Sequence, residues 1–271
     1  MVTTCSGRVL VIAGSDSGGG AGIQADIKAI TALGGYAMTA VTALTAQNTL
    51  GVHGVHAVPP DFLRQQIDVV MDDLPPQALK TGMLHDAATI ECVAELAEGA
   101  GRGLPLVVDP VMIAQSGARL LETEAMDALI GRLLPLTGLL TPNLPEAEAL
   151  LGREIPDMHA MAEAAQALRA LGPQAVLLKG GHLPGEEIVD VLVDGSRTES
   201  YHHRRIDTRH THGTGCTLAS AIATGLAQGY PLERAVARAR DYLLEAIRSA
   251  PGFGGGGGPV NHCHTVAVPR D

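Results

Sequence analysis

"RVLVIAGSDSGGGAGIQADIKAITALGG", residues 8–35, contains one complete structural unit. Arg8–Gly14 is an apolar run rich in Val, Leu and Ile, the composition of a buried strand. Gly14–Gly22 is a glycine cluster able to turn the chain sharply. Ala21–Gly35 spaces its apolar residues as a helix does and stops on paired glycines.

The same alternation continues downstream. "YAMTAVTAL" reads as a strand, and "PDFLRQQIDVVMDD" (Pro60–Asp73) as a helix opened by Pro. "QALKTG" is a short strand, and residues 87–98 follow as a helix. "LPLVVDPVM" is a buried strand running into a loop, followed by a further helix. A strand in "TGLLTPN" leads into the helix "LPEAEALLG", and a second helix spans about residues 160–171. "AVLLKGG" is a strand, 188–193 and 197–203 are β-like, and two helices close the pattern. Continuous apolar strands alternating with helices predict an α/β fold with a parallel sheet covered on both faces. Ligands in such sheets bind beyond the carboxyl ends of the strands. Neither a shift in composition nor a repeat divides the 271 residues, so a single domain over 1–271 is expected.

Composition narrows the function. The formal net charge of −10 argues against a nucleic-acid or anionic-membrane surface, though it leaves room for one local phosphate pocket. No apolar run is long enough to span a bilayer, and the N-terminal stretch lacks a signal-peptide pattern. Cys5, Cys92, Cys216 and Cys263 stand far apart without a CxxC pair, which predicts reduced thiols and a cytoplasmic protein. There is no Trp and there are only two Phe, so the core must be aliphatic.

Several stretches can carry chemistry. "GSDSGGGAG" (Gly14–Gly22) fails the dinucleotide fingerprint, because Ile23 stands where the third glycine belongs. It fails the Walker pattern too, since no Gly-Lys-Ser/Thr follows. An ordinary turn and a loop approaching a ligand both remain open. In "TPNLPEAEALL" (Thr141–Leu151), Asn143 and Glu146 have capping-box spacing; the same carboxylate on that rigid helix end suits a magnesium–nucleotide site. Asp109 ends a buried strand, either as a turn starter or as a ligand carboxylate. Lys179 at the end of "VLLK" is either a solvated strand end or a phosphate contact. His53–His56 and "HCH" (His262–His264) lack a partner pair at zinc spacing and read as surface or satisfied histidines. "GFGGGGGPV" (Gly252–Val260) reads by composition as a flexible linker.

"THGTGCTLASAIATG" (Thr211–Gly225) is the most informative of these. Gly213, Thr214 and Gly215 precede an alanine-rich helix, so its first N–H groups and its dipole form an anion site. Cys216 at that positive end is expected to titrate below the ordinary thiol value of about 8.5. A small packing residue is the plainer alternative.

Together, "AGSDSGGGAGIQADIKA", "TALTAQNT", "KTGML", "VVDPVM", "TPNLPEAEALL", "LLKGGH", "DTRHTHGTGCTLASAIA" and "GPVNHCH" resemble the bacterial hydroxymethylpyrimidine/phosphomethylpyrimidine kinases, in that order and over nearly the whole chain. These belong to the ribokinase-like superfamily, whose fold is a three-layer α/β/α sandwich with a mostly parallel central sheet. The resemblance implies ATP- and Mg2+-dependent phosphorylation of 4-amino-5-hydroxymethyl-2-methylpyrimidine, then of its monophosphate, in thiamine biosynthesis. It implies a substrate pocket of Gly14, Asp26, Gln47, Met83 and Val111, and metal-side carboxylates Asp109 and Glu146. Nucleotide contacts would fall at Asn143, Lys179, Thr208 and Thr214, an anion hole at Gly213 and Gly215, and a base at Cys216, where sugar-kinase relatives carry Asp. The implied partners are the pyrimidine, ATP and a second copy of the chain as a homodimer. Two alternatives are a pyridoxal/pyridoxine kinase of the same fold and a non-catalytic pyrimidine-binding regulator. "GGGAGIQAD" and "TAQNT" favour the pyrimidine, and Asp109, Glu146, Lys179 and "GTGC" together favour catalysis.

Overall fold

The computed structural model describes residues 5–112, 120–122, 124–195 and 197–266. Its first unit is β1 (Arg8–Asp16) and α1 (Gly22–Ala32). β2 (Tyr36–Asn48) then folds back as β3 (Gly51–Ala57), and α2 (Pro60–Asp73), β4 (Ala78–Thr81), α3 (Ala87–Glu98) and β5 (Leu106–Val108) follow. The short α4 (Ala125–Ala128) continues through distorted turns to Leu136, ahead of β6 (Leu139–Leu140), α5 (Leu144–Leu151), α6 (Met158–Arg169) and β7 (Ala175–Leu178). β8 (Glu187–Asp194), β9 (Arg197–Arg204), α7 (Thr214–Ala227) and α8 (Leu232–Arg248) complete the described elements.

Among the described residues the strands form one nine-stranded sheet in the order β3-β2-β1-β4-β5-β6-β7-β8-β9. From β2 to β7 all neighbours are parallel; β3, β8 and β9 add antiparallel edges. The parallel centre agrees with the sequence reading. The β3 edge was not anticipated, because "GVHGVHA" is mostly exposed and lacks the apolar run of a central strand.

Alternation along β1 shows why three layers form. Leu10 and Ile12 enter one core with α2, α3, α5 and α6, while Val9, Val11 and Ala13 enter another with α1, α7 and α8. Asp86 and Asp157 start α3 and α6 by accepting backbone N–H bonds from their first turns. No helix of the described residues is long and apolar enough to cross a membrane.

Candidate active site

The carboxyl ends of the parallel strands converge on a cavity of about 720 Å3. Gly14 at the end of β1, Gln47 at the end of β2, Met83 after β4, and Asp109 and Val111 after β5 all line it. Asn143 and Glu146 at the start of α5, Lys179 after β7, and Gly213, Thr214, Gly215 and Cys216 at the start of α7 complete the set. Twelve of the residues named from sequence thus meet at one place.

Two do not. Asp26 is fully buried beneath the cavity and does not line it. Its carboxylate accepts two bonds from Lys80 Nζ (2.8 and 2.9 Å) and one from the Ser220 hydroxyl (2.6 Å). Lys80 is itself fully buried, so the pair is a strut joining α1, β4 and α7. Thr208 also lies outside the cavity; its hydroxyl accepts the His210 N–H at 3.1 Å.

The glycines make close approaches possible. A Cβ on Gly14 would meet Met83 Cε at 2.5 Å. Gly213 has φ 83°, and a Cβ there would overlap the Gly20 carbonyl. The "GSDSGGGAG" turn and the start of α7 therefore interlock. Asp16 organises that turn by accepting the N–H groups of Gly18, Gly20 and Ala21 at 2.8–3.0 Å, and the His212 ring at 2.9 Å. Burial alone would raise the Asp16 carboxyl, but these bonds outweigh it and hold it below the usual carboxylate value. Neither Asp16 nor His212 was singled out from sequence. An Asp followed by several glycine N–H groups is the available signal.

At the α7 terminus Gly215 and Cys216 line the cavity and lie in the first turn, where helical N–H groups have no intrahelical acceptor. Lys179 Nζ donates to Asp109 Oδ1 at 3.0 Å, and Thr141 donates to the same oxygen at 3.2 Å. Asn143 caps α5 by accepting the Glu146 N–H (2.9 Å), while Glu146 accepts the Asn143 N–H (2.8 Å). The capping box expected from spacing is therefore present, and its carboxylate also faces the cavity. Burial pushes the Glu146 carboxyl up to about 7, opposed by Lys179 and reinforced by Asp109.

Cys216 departs from expectation. Burial pushes its thiol up to about 12, and the field of Lys80 and a hydrogen bond from the Gly22 backbone only partly offset this. The helix end does not produce a thiolate in the ligand-free protein, because desolvation outweighs it.

"GFGGGGGPV" is not a linker. A Cβ on Gly256 would overlap the Thr49 carbonyl, and one on Gly258 would meet His210 Nδ1 at 2.5 Å. This loop packs on the β2–β3 turn and encloses a smaller cavity of about 480 Å3, which shares Gln47, Thr211 and His212 with the larger one. The histidine pairs are structural or exposed: His53 and His56 are exposed, and the buried His262 bonds the Thr217 hydroxyl at 2.9 Å. No group of three or more potential ligand side chains is arranged for a metal among the described residues.

A sequence profile of the family described as Phosphomethylpyrimidine kinase matches residues 16–261. The thiamine biosynthesis bifunctional protein of Geobacter sulfurreducens is 53% identical over 98% of this chain, which spans 54% of that longer protein. The hydroxymethylpyrimidine/phosphomethylpyrimidine kinase of Streptomyces coelicolor is 49% identical, covering 94% of this chain and 93% of its own. An ADP complex of Bacillus subtilis pyridoxal kinase superposes with a TM-score of 0.88 at 37% identity, covering 95% of this chain and 98% of that one.

Proposed function

We infer that this chain, which belongs to the phosphomethylpyrimidine kinase family, is the kinase that phosphorylates 4-amino-5-hydroxymethyl-2-methylpyrimidine and then its monophosphate in thiamine biosynthesis. One observation carries the reading: a single cavity joins a pyrimidine-sized amide and apolar wall to a phosphoryl-transfer terminus. Gln47 supplies the amide, Met83 and Val111 the wall, and the start of α7 the terminus beside Asp109, Glu146 and Lys179.

An aminopyrimidine edge presents a donor beside an acceptor, which an amide matches. Gln47 is therefore the recognition group, with the ring against Met83 and Val111. Phosphoryl transfer is mostly positioning and electrostatics. The first-turn N–H groups of Gly215 and Cys216 suit the equatorial oxygens of the transferred group, and Lys179 suits the phosphates of ATP. The ADP complex of the related pyridoxal kinase supports nucleotide use.

Asp109 and Glu146 fit a magnesium ion, which is usually held by one or two carboxylates together with substrate phosphates. The high affinity of Glu146 for a proton, with Lys179 bridging to Asp109, marks a carboxylate pair that lacks enough positive charge of its own. When bound, the ion neutralises charge on the phosphates. Cys216 occupies the position of a proton acceptor for the substrate hydroxyl. Lys80 beneath it favours the thiolate and burial opposes it, so transfer relies chiefly on alignment and the anion hole.

The pyridoxal kinase alternative is supported only by the shared fold, at lower identity than the pyrimidine kinases. One continuous sheet supports a single domain over 1–271. Exposed Leu44, Leu50 and Val55 on the β2–β3 edge support a homodimer through that edge. Four free cysteines support a cytoplasmic location. A coupled assay offering the pyrimidine alcohol, its monophosphate and pyridoxal as separate substrates tests the reaction. Turnover of the first two above pyridoxal is expected, and pyridoxal as the best substrate would overturn it.

A further inference from the structure

The polar groups around Gln47 do not balance as a simple reading of their contacts would have them. Ser17 pins the Gln47 backbone: its hydroxyl accepts the Gln47 N–H and donates to the Gln47 carbonyl, both at 2.8 Å. The side-chain amide is held at both ends. His212 Nε2 lies 3.3 Å from Gln47 Nε2, and Thr45 Oγ1 lies 3.2 Å from Gln47 Oε1.

Proton counting fixes which way this amide faces. Asp16 Oδ2 already accepts two backbone N–H bonds, and it sits 2.9 Å from His212 Nε2. An ionised carboxylate is only an acceptor, so His212 Nε2 must carry hydrogen. That one hydrogen goes to Asp16, the shorter contact, and a protonated Nε2 keeps no lone pair to accept from the amide nitrogen 3.3 Å away, so the two would meet donor against donor. At the Thr45 end the single hydroxyl hydrogen goes chiefly to the Ser15 carbonyl at 3.0 Å, so Gln47 Oε1 at 3.2 Å has at most a share of it, whereas the hydroxyl oxygen can accept a full bond. A half-turn of the amide, which preserves its shape, suits both ends. Gln47 Oε1 then takes the longer arm of a bifurcated bond from the His212 Nε2–H, whose main acceptor is Asp16, and Gln47 Nε2 donates to Thr45 Oγ1.

We propose that His212, held by Asp16, is a specificity-determining positioning residue that locks the Gln47 amide in this one sense. The inference rests on the pyrimidine reading of the cavity. Locked so, Gln47 has one Oε1 lone pair and one Nε2–H left for a ligand. That pair matches a ring 4-amino group beside an unprotonated ring nitrogen. It opposes the reversed pattern of a 4-oxo group beside a ring N–H. A freely turning amide would serve both patterns, as many glutamines do, so discrimination lies in the lock and not in Gln47 alone.

The test compares kcat/KM for 4-amino-5-hydroxymethyl-2-methylpyrimidine with that for its 4-oxo analogue, 5-hydroxymethyl-2-methylpyrimidin-4(3H)-one. Wild-type enzyme should prefer the amino compound strongly. His212→Leu removes the donor, and the preference should fall by at least about tenfold, mainly through KM for the amino compound. His212→Gln places an amide nitrogen near the position of Nε2 with a hydrogen for each acceptor, and should keep the wild-type preference. Thr45→Val frees the other end of the amide and should also narrow the preference, which covers the case of an unfolded His212→Leu. Wild-type discrimination in His212→Leu or Thr45→Val, or equal loss in His212→Gln and His212→Leu, would overturn the proposal. Failure of the reaction reading is separate: wild-type enzyme would then not turn over the amino compound at all.

Discussion

Replacing Lys80 by Met should destabilise the protein sharply without touching the cavity. Lys80 and Asp26 are both fully buried, and Lys80 supplies two of the three hydrogen bonds to that carboxylate. Burial raises the Asp26 carboxyl and opposes the Lys80 ammonium, while Asp26 holds that ammonium above the ordinary lysine value; the bonds of 2.8 and 2.9 Å from Lys80 Nζ to both carboxylate oxygens are the geometry of an ion pair. Lys80→Met leaves a buried carboxylate with only the Ser220 hydroxyl, a change that costs about 3–5 kcal/mol. At roughly 2–4 °C per kcal/mol for a chain somewhat under this size, Tm should fall by about 6–20 °C. Adding Asp26→Asn removes the stranded charge and keeps an acceptor for Ser220, so the double variant should regain at least half of that loss. Differential scanning calorimetry gives the stabilities, and titration calorimetry gives pyrimidine affinity. Because Asp26 does not line the cavity, the double variant should bind the pyrimidine within a few-fold of wild type. A double variant as unstable as the single one would refute the strut. A recovered fold with affinity lost more than tenfold would return Asp26 to the substrate pocket.

Three other perturbations test other parts of the site. Because transfer relies chiefly on alignment and the anion hole, Cys216→Ala should lose turnover by about tenfold or less with ligand binding retained, and a loss of about 10²–10⁴-fold would assign Cys216 a full base role; alkylation of Cys216 in ligand-free enzyme, followed by peptide mass spectrometry, should keep accelerating with pH to 10 and beyond, and a plateau at or below 8.5 would contradict the raised thiol. Glu146 has a folded pKa near 7, above its unfolded value of about 4.3, so its contribution is present below pH 4 and lost as pH rises through 7. Glu146→Gln, which keeps the capping box, should therefore gain stability relative to wild type between pH 5 and 8 by ~3 kcal/mol, while its activity falls most at low magnesium; a pH-independent difference in Tm would sink the assignment. Gly256→Ala should lower Tm and open the 252–260 loop to proteolysis, whereas Gly255→Ala, whose Cβ would sit 3.6 Å from Leu50, should not; equal behaviour would restore the linker reading.

Much of the fold and most of the site can be read from the sequence, for reasons visible in particular residues. Pro60–Asp73 and Ala87–Glu98 form helices over the spans their periodicity marks, because start signals and apolar faces agree. Asn143 and Glu146 were legible because a capping box is local. β3 was not, since an exposed edge strand has one neighbour and little apolar pattern. The burial of Asp26 beneath the cavity is not legible, because its partners, Lys80 and Ser220, lie 54 and 194 residues away. The raised Cys216 thiol is hidden for a related reason: a helix terminus is visible in sequence, but the surroundings that desolvate it and the Asp26 and Asp109 carboxylates near it are not. The glycines of 254–258 look like slack until Thr49 and His210 are seen against them.

The interlock between the Gly18–Gly20 turn and the start of α7 also sets a schedule for making the protein. Asp16 and His212 are 196 residues apart, so at ~5–20 residues per second one half of the site waits about 10–40 s for the other during synthesis. Until α7 and α8 emerge, the sheet face bearing Val9, Val11, Val107 and Leu177 has only α1 to cover it. A nascent chain halted before residue 213 would present that apolar face and a glycine turn with nothing to close on. Chaperone dependence and aggregation should therefore concentrate in truncations that end between β9 and α7, where the strands are complete and their cover is not.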